Sequence, residues 1–393
     1  MMIKEIKISG LLSFGCGPEG VSFPLKDLNV LIGPNGSGKS NFLEMLALLK
    51  AAPKNLPAPV NEMGGVREWL WRGEGRASDG TLDVQMSASG KPKNKKDLRH
   101  ILCVGENGGR FEVVAEQISD ATSRPGKIKP LTHYIFAKGF GPALLVEGRN
   151  QRELQRENVH PEESILSQIK DPERYPALAS LQEKYSEIRL FRNWSFGPQA
   201  ALRREQSAQA RNDFLADGGE NLALVFSNIR MRIKRELIEA LREFYDGITD
   251  LDVSVANGKV QLFLEEEGGR QIPATRLSDG TLRYLCLLAI LLHPEPPGLI
   301  AIEEPELGLH PDVLPFLGKL LVQASKRTQL VVTTHSRVLV DALSDEPEAV
   351  VVCEKVDGCS RFTRQSGDHL KEWLEKYSLG TLWSMGEIGG NRW

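Results

Sequence analysis

The segment GPNGSGKS at positions 33–40 constrains the fold more than any other part of the sequence. It matches the pattern G-x-x-x-x-G-K-[ST], in which glycines allow backbone N–H groups to converge on phosphate oxygens. The apolar run Leu28–Ile32 before it has the character of a strand, and Asn41–Ala51 after it has helical spacing. This order predicts an α/β fold in which the positive N-terminal end of a helix faces phosphate.

The loop predicts ATP and a magnesium ion as ligands. We expect Lys39 to reach the β- and γ-phosphates and the Ser40 hydroxyl to bind Mg²⁺. The alternative is a glycine-rich turn with an incidental lysine, and the flanking strand and helix disfavour it. The residues predicted to bind ATP are Gly33, Pro34, Asn35, Gly36, Ser37, Gly38, Lys39, Ser40 and Asn41.

A second motif is the apolar run Leu299–Ile302, which is followed by Glu303 and Glu304. A buried parallel strand can deliver acids at its C-terminal end beside a phosphate loop. Adjacent strand residues point to opposite faces, so the two carboxylates are expected to have different roles. We assign Glu303 to the magnesium shell, through water, and Glu304 to polarising the attacking water. The alternative is a strand that ends in ordinary exposed acids.

Two further positions carry weaker signals. Ser278 precedes an apolar helix, and its use as an N-cap would alone explain it. The functional alternative is that this helix N-terminus, with the N–H groups of Ser278 and Gly280, faces a γ-phosphate. His335 follows the apolar run Leu330–Thr333. A histidine at a strand end is commonly structural, but near a γ-phosphate it can donate a hydrogen bond that senses the nucleotide state.

Composition limits the remaining possibilities. The chain has 393 residues, a net charge of −3 and 41% hydrophobic residues, whereas dedicated nucleic-acid binders are more often basic. Its five cysteines form no C-x-x-C pair, so neither a zinc site nor a disulfide framework is predicted. The N-terminus lacks the apolar stretch of a signal peptide, and no apolar run approaches the ~18 residues that span a bilayer. We therefore expect a cytoplasmic protein without membrane contact.

The rest of the chain divides into regions of different character. Strand patterns extend from about Leu82 to Val146, with a hairpin turn at Asn107–Gly109. The region from Pro161 to about Tyr245 has helical spacing and many charges, and a second hairpin follows around Asn257-Gly258. The charged stretch Lys91–Lys96 is predicted to be a solvated loop. No heptad run is long enough for an extended coiled coil.

The order of these motifs resembles that of the ABC ATPase superfamily, and its details are similar to the SMC/RecF/OLD-like branch. The matching segments are GPNGSGKSN, LSDGT, TTHS and IEEPELGLHP, the last spanning Ile302–Pro311. The tail YSLGTLWSMGEIGGNRW is similar to that of small stand-alone ATPases of this branch, and we expect its Trp383 and Trp393 to dock onto the head. The resemblance implies an α/β ABC ATPase head of the P-loop NTPase type, with a mixed-sheet lobe I, a helical lobe II and no long coiled coil.

The resemblance divides the chain into four segments. Residues 1–160 would form the N-terminal part of lobe I, with the phosphate loop and an antiparallel strand layer. Residues 161–292 would form lobe II, mostly helical and carrying the LSDGT signature. Residues 293–352 would return to the core of lobe I, and residues 353–393 would form a C-terminal tail packed on the head.

In this family two heads enclose two ATP molecules, so the resemblance implies a homodimer. Ser278, Asp279 and Gly280 would contact the nucleotide of the partner protomer, and His335 would be the switch histidine. Gln168 is our candidate for the glutamine that links the lobes and joins the magnesium shell; an exposed helical glutamine is the alternative. The expected catalytic residues are Lys39, Glu304 and His335, and the expected D-loop at the dimer interface consists of Glu306, Leu307, Gly308, Leu309 and His310.

Three positions depart from the family pattern. Glu303 stands where SMC heads and transporters usually have Asp, although this branch often has Glu. Asp279 replaces the first glycine of LSGGQ and places an acid near the expected phosphate, which implies slow hydrolysis. Gly10-Leu11-Leu12 stands in place of an Asn-Phe-Lys run, so no N-terminal contact to adenine or DNA is assigned.

The resemblance implies an ATPase that dimerises on ATP and acts as a switch for a partner effector, such as a nuclease or toxin, in DNA repair or anti-phage defence. The alternative is a RecF-like ATP-dependent DNA clamp that uses the basic stretch Arg230–Arg235. That stretch is followed by Glu236, Glu239 and Glu243 at helical spacing, so a self-paired solvated face is the competing interpretation. A transporter subunit is a third possibility, which LSDGT and IEEPELGLHP disfavour.

Overall fold

The computed structural model describes residues 1–73, 75–88, 96–123, 127–137, 140–145, 151–153, 159–192 and 194–390. Within these ranges the strands are β1 (Ile3–Ser9), β2 (Val21–Pro24), β3 (Leu28–Ile32), β4 (Arg72–Gly73), β5 (Gly75–Arg76), β6 (Asp79–Met86), β7 (Leu98–Asn107), β8 (Arg110–Asp120), β9 (Thr132–Ala137), β10 (Phe140–Leu145), β11 (Gln151–Glu153), β12 (Ile188–Phe191), β13 (Gln206–Ser207), β14 (Ile248–Ala256), β15 (Lys259–Glu266), β16 (Arg270–Pro273), β17 (Leu299–Glu303), β18 (Gln329–Thr333), β19 (Val350–Val356) and β20 (Cys359–Arg364).

The helices in the same ranges are α1 (Lys39–Ala51), α2 (Ala58–Glu62), α3 (Val66–Trp69), α4 (Ile165–Gln168), α5 (Pro176–Ser186), α6 (Leu222–Ile229), α7 (Lys234–Phe244), α8 (Asp279–Leu291), α9 (Leu314–Ser325), α10 (Arg337–Asp341), α11 (Gly367–Leu374) and α12 (Leu379–Met385). The longest of these described helices, α1 and α8, have 13 residues each, so the described part contains no long coiled coil. None of the described helices is both long enough and apolar enough to cross a bilayer.

A central six-stranded sheet has the order β12-β17-β18-β3-β19-β20. Its first five strands are parallel, and β20 pairs antiparallel with β19 at one edge. β3 and β18 are buried along their whole length. Continuous apolar runs of this kind suit strands that are covered on both faces. The predicted strand Leu28–Ile32 and the predicted strand before the two acids are both confirmed.

An eight-stranded antiparallel sheet, β11-β10-β9-β8-β7-β6-β1-β2, forms a second layer. The β7–β8 hairpin pairs Asn107 with Arg110, so Gly108 and Gly109 form a two-residue loop. Their φ angles of +59° and +86° lie in the left-handed region, where glycine carries no Cβ penalty. The predicted hairpin is therefore confirmed, and its turn is set by the two glycines.

Apolar clusters cover both faces of the central sheet. Alternate residues of β3 point to opposite faces, so Leu31 belongs to one cluster and Val30 to the other. The cluster around Leu31 includes the apolar residues of α1 and of the antiparallel sheet. The cluster around Val30 includes those of α6, α8, α9 and α12. The central sheet is thus the middle layer, and its carboxyl edge stays accessible.

The segment 161–292, expected to be a mostly helical lobe II, divides between both packing units. Helices α4 and α5 pack with the antiparallel layer, and β12 joins the central sheet by pairing with β17. From Phe191 onward the residues pack with α6, α7 and α8, accompanied by the sheet β13-β15-β14 with β16 on β15. The four residues of β12 lie inside the region predicted to be helical, because so short an apolar run has no distinctive period.

The tail segment 353–393 begins inside β19, so its first residues belong to the central sheet. Farther on, α12 packs so closely on α10 that a Cβ at Gly380 would lie only 2.6 Å from Asp341 Oδ1. Trp383 is buried, and its Nε1 donates to the Gly390 carbonyl at 3.3 Å. Trp393 and the predicted loop Lys91–Lys96, except for its last residue, lie outside the described residues.

Candidate active site

The loop between β3 and α1 exposes backbone at the carboxyl edge of the central sheet. Its glycines have φ angles of +139° at Gly33, +80° at Gly36 and +102° at Gly38, which other residues rarely adopt. A Cβ at Gly33 would collide with the Cys353 carbonyl, and one at Gly38 would collide with the Ser360 hydroxyl. Glycine is therefore required at these positions by the backbone conformation of the loop and by its close packing on β19 and β20.

The other loop residues differ in exposure. Asn35 and Gly36 are exposed at the tip, whereas Ser37 is buried and its N–H donates to the Pro34 carbonyl at 3.3 Å. Asn41, in the first turn of α1, donates from Nδ2 to Ser13 Oγ at 2.7 Å. The tip and the helix N-terminus together form a cradle of backbone N–H groups that suits phosphate.

Lys39 is buried at the start of α1, and its ammonium group lies over the loop. Nζ donates to the carbonyl oxygens of Gly33 at 2.8 Å and Pro34 at 3.0 Å. Burial lowers the pKa of Lys39, and the carboxylates of Glu304 and Glu303 oppose that shift. A positive charge is therefore held at the loop, where an anionic phosphate would be bound.

The two oxygen donors assigned to magnesium are direct neighbours. Ser40 Oγ donates a hydrogen bond to Glu303 Oε1. Among the described residues no group of three or more His, Cys, Asp or Glu could hold a metal ion. Magnesium needs no such cage, because it is commonly bound by one or two protein oxygens together with waters and substrate phosphates. The Ser40 and Glu303 pair therefore fits the ion.

Arg192 lies beside the same carboxylate, at a position that no sequence motif indicated. β12 pairs with β17 so that Phe191 is opposite Ile302, which brings the next residue, Arg192, near Glu303. Its Nη1 donates to Glu44 Oε1 at 2.7 Å, and its Nε is 4.0 Å from Glu303 Oε2. Burial raises the pKa of Glu44, and Arg192 opposes that shift. An apolar run that ends in arginine was the only available signal.

The contacts of Gln168 disfavour its assignment to the magnesium shell. Its Oε1 accepts from the His160 N–H at 2.9 Å, and its Nε2 donates to the Glu163 carbonyl at 3.1 Å. Helix α4 itself packs with the antiparallel layer. The amide thus holds the local chain 160–164, and Arg192 is the residue that reaches Glu303. The alternative interpretation of Gln168, a helical glutamine without a role in the site, is the one that these contacts favour.

Glu304 has an unusual backbone conformation. Its φ of +46° lies in the left-handed region, which a non-glycine residue keeps only where its surroundings hold it. Its N–H donates to Thr333 O at 3.0 Å and to Thr333 Oγ1 at 3.2 Å. Its Oε1 lies 3.5 Å from His335 Nε2. Burial lowers the pKa of His335, with a further lowering by Lys39, so the imidazole is neutral at neutral pH.

The predicted D-loop begins at an anchor. Glu306 Oε1 accepts from the Thr334 hydroxyl at 2.6 Å and from the His335 N–H at 2.8 Å. The residues that follow turn outward: Leu307 is 50% exposed, and the side chain of His310 is 73% exposed. The predicted D-loop is thus fixed through Glu306 to the residues that follow β18, while the apolar side chain of Leu307 next to this anchor faces solvent.

The signature segment lies at the N-terminus of α8. Ser278 is exposed and caps the helix, because its Oγ accepts from the Thr281 N–H at 3.0 Å. Asp279 forms an ion pair with buried Arg203, whose Nη1 also donates to the Leu277 carbonyl at 2.6 Å. The charge that Asp279 brings to the motif is therefore balanced within the chain, which the sequence could not indicate. A Cβ at Gly280 would lie 2.6 Å from the Gly308 carbonyl oxygen, so this segment packs on the D-loop.

A cavity of about 300 Å³ lies next to the first turn of α1. Ser13, Asn41 and Trp71 line it together with Lys355 and the Arg72–Glu68 ion pair. The N-terminal segment around Ser13, to which no contact was assigned from the sequence, therefore borders a cavity beside the phosphate loop.

The basic stretch 230–235 is largely neutralised by its own surroundings. All four of its cations form ion pairs with acids of the same chain, which leaves little free charge for a phosphate backbone. The pairs are Arg230 with Asp252 at 2.6 Å, Arg232 with Glu295 at 2.8 Å, Lys234 with Asp250 at 2.9 Å and, more loosely, Arg235 with the neighbouring Glu236 at 3.9 Å.

The central parallel sheet with the phosphate loop and the strand acids at its edge has the P-loop NTPase fold of SMC head domains, as the fold comparison shows. An Smc head bound to the C-terminal winged-helix domain of ScpA has a TM-score of 0.59 and 15% identity, over 93% of this chain and 99% of that one. A Pyrococcus furiosus Smc head with an extended coiled coil, bound to the C-terminal domain of ScpA, has a TM-score of 0.59 and 15% identity, over 95% and 98%. A Pyrococcus yayanosii Smc head with a coiled coil and joint has a TM-score of 0.53 and 13% identity, over 96% and 99%.

Within this class the chain belongs to the family described as "AAA domain, putative AbiEii toxin, Type IV TA system", whose model matches residues 28–341. The match extends from β3 to the end of α10 and includes every motif of the site. No curated protein matches the sequence. The predicted resemblance to SMC/RecF-like ABC ATPases is confirmed.

Proposed function

We propose that the protein hydrolyses ATP to ADP and phosphate at the carboxyl edge of its central sheet. One observation carries this proposal: side chains from separate motifs contact each other there. The Ser40–Glu303 hydrogen bond joins the phosphate loop to the strand acids. The Glu304–His335 contact, at 3.5 Å, joins the acids to the histidine.

Each side chain has a distinct task in this proposal. The loop N–H groups and Lys39 bind the phosphates, and Ser40 and Glu303 hold Mg²⁺. The ion would neutralise charge on the β- and γ-phosphates. The Glu304 carboxylate polarises the attacking water and accepts its proton. Neutral His335 donates a hydrogen bond near the γ-phosphate from one nitrogen, a role that its lowered pKa supports.

The same proposal includes a second copy of the chain. Ser278 and Gly280 form a helix N-terminus whose serine is exposed, and the adjoining D-loop exposes Leu307. A helix N-terminus attracts a γ-phosphate, so two heads would each complete the other's site around two ATP molecules. Supporting this, Arg203 balances the acid at position 279.

The Glu304→Gln variant tests dimerisation, because it should bind ATP and hydrolyse it very slowly. With ATP and Mg²⁺ we expect light scattering to report the mass of two chains, against 43.6 kDa for one. The double variant Glu304→Gln/Ser278→Arg is the control and should bind ATP as a monomer. A monomeric Glu304→Gln variant at saturating ATP would refute the two-headed model.

We further propose that the ATP-bound dimer acts on a protein effector, a nuclease or a toxin, in anti-phage defence or DNA repair. The family description refers to a toxin–antitoxin system, and two of the similar Smc heads are bound to a ScpA domain, a partner protein. The test is native mass spectrometry of tagged Glu304→Gln trapped with ATP in its own host. A stoichiometric protein supports the effector model, whereas nucleic acid alone would favour a DNA clamp.

A further inference from the structure

Arg283 connects the signature helix to the proposed base. It lies on α8, five residues after Ser278, and its Nη1 donates to the backbone carbonyl of Glu304 at 3.1 Å. The side chain thus reaches from α8 to the residue that follows β17. Glu304 has a left-handed backbone with a φ of +46°, so a hydrogen bond to its carbonyl helps to hold an unfavourable conformation at the residue that carries the proposed base.

The guanidinium is held in place by two aromatic rings. Its Cζ lies 5.5 Å from the ring centre of Trp194 and 5.3 Å from that of Phe196. Trp194 is itself fixed, because its Nε1 donates to the Asp217 carbonyl at 3.0 Å. Cation–π contact with both rings restrains the guanidinium, so that little conformational entropy is lost when it hydrogen-bonds.

The signature helix also packs on the loop that follows Glu304. Gly280, at the first turn of α8, packs against the carbonyl of Gly308 in the D-loop, with no space for a Cβ. The helix therefore has two contacts around the proposed base: Arg283 on its carbonyl, and Gly280 on the loop that follows it. A shift of α8 along its axis would change both contacts together.

We propose that Arg283 is a positioning residue that holds the Glu304 backbone in its hydrolytic conformation and links that conformation to the position of the signature helix. This inference rests on the proposed hydrolysis. When Ser278 engages the nucleotide of a second copy, α8 is fixed, and through Arg283 the carboxylate of Glu304 is fixed with it. Hydrolysis thereby depends on the partner even though Arg283 touches no substrate.

The test compares Arg283→Met with Arg242→Met in full-length protein. Arg242 is an exposed arginine on α7, so Arg242→Met is the same chemical change at a position without contact to Glu304. For Arg283→Met we expect kcat to fall at least tenfold while KM for ATP changes less than twofold, and Arg242→Met should retain the wild-type kcat. Arg283→Lys, which keeps a donor but loses the planar guanidinium, should recover part of the rate.

A second readout separates positioning from general packing. In the Glu304→Gln background, Arg283→Met should still form the ATP-dependent dimer, because phosphate binding and the signature serine are unchanged. If Arg283→Met does not fold, Arg283→Gln carries the same test, since its shorter amide cannot reach the Glu304 carbonyl. Wild-type kcat in the folded variant, or an equal loss in ATP affinity, would overturn the positioning role.

The two proposals fail differently. If the wild-type protein hydrolyses no ATP, the proposed function is wrong and the role of Arg283 falls with it. If the wild type hydrolyses ATP and the Arg283 variants match its rate, only the positioning role is wrong.

Discussion

The sheet edge around Glu304 and the signature end of α8 contain residues of the same motif set but differ in what they contact. At the sheet edge, motif side chains bind each other, as Ser40 does with Glu303. At the signature end, the described hydrogen bonds of Ser278 stay within its own helix, and the residue is exposed. The comparison indicates that the first half of the proposed site is assembled by one chain, whereas the second half faces outward.

The two halves are nevertheless in contact through the D-loop. Glu306, the first residue of that loop, accepts from the His335 N–H just after β18. Gly308, in the middle of the loop, packs on Gly280. An event at the outward-facing signature can therefore reach the sheet edge over a few residues. This gives the comparison a measurable form: changes at the edge should affect chemistry or nucleotide binding, and changes at the signature should affect assembly.

The largest expected effect comes from removing the proposed base. Glu304→Gln should reduce kcat by roughly 10²- to 10⁴-fold, the range for loss of a positioned general base. The affinity for ATP should stay within about twofold, because the Glu304 side chain makes no contact with the phosphate loop in the described hydrogen bonds. Steady-state hydrolysis and equilibrium titration with a fluorescent ATP analogue measure the two quantities. A variant that keeps most of its rate would contradict the role of Glu304.

The next largest effect is on binding at the same edge. Lys39→Ala removes a charge-assisted contact to phosphate, worth about 1.5–3 kcal/mol, so ATP should bind roughly 10- to 150-fold more weakly. The exposed Lys54, just after α1, gives a matched control in Lys54→Ala, which should bind ATP as the wild type does. Calorimetric titration provides the measurement. Equal affinity of the two alanine variants would show that the loop does not bind phosphate through Lys39.

The sheet edge was also the part of the site that the sequence predicted best. The glycines of residues 33–38 and the apolar run before Glu303 are local patterns, and local patterns specify a loop or a buried strand directly. Arg192 and Arg203 were missed for the opposite reason. Their partners, Glu303 and Asp279, are distant in sequence and meet them only after β12 and α8 have packed.

The fold divides along the same line. Both predicted hairpins are present, because Gly108-Gly109 and Asn257-Gly258 give the turn chemistry within a few residues. β12 was not predicted, because four residues with one charge fit a strand or a helix equally well until β17 is beside them. The hydrogen-bond partners of Gln168 were unpredictable for the same reason, since a glutamine carries no local signal for the group that it will bind.

A smaller effect is expected from substituting Ser278. The variants separate its two possible roles, as a helix cap and as a contact to the partner's nucleotide. Ser278→Ala loses the hydrogen bond to the Thr281 N–H, so the free energy of unfolding of the monomer should fall by about 1 kcal/mol. Ser278→Thr retains a hydroxyl that caps and should recover most of that loss. Urea denaturation without nucleotide measures both.

The same pair of variants then decides the interpretation of the signature. In the Glu304→Gln background, Ser278→Ala should weaken the ATP-dependent dimer, and Ser278→Thr should weaken it less, because the hydroxyl is still available to a phosphate. Sedimentation at several protein concentrations gives the dimer affinity. If both variants dimerise like the parent, Ser278 is a helix cap only, and the outward-facing half of the comparison loses its function.

The smallest expected effect concerns acid sensitivity at the sheet edge. Burial lowers the folded-state pKa of His335 below the ordinary value near 6.5. Between the two pKa values the unfolded chain binds more protons, so the stability due to neutral His335 is fully present above about pH 6.5 and is lost as pH falls through the folded pKa. The imidazole is partly exposed, so solvent screening keeps the effect small.

His335→Gln should therefore lose less stability than the wild type between pH 7 and pH 5 in urea denaturation. His293, whose pKa burial also lowers, lies just after α8 and should retain its own acid sensitivity in that variant. Parallel pH profiles for the wild type and His335→Gln would mean that protonation at the sheet edge is not coupled to its folding.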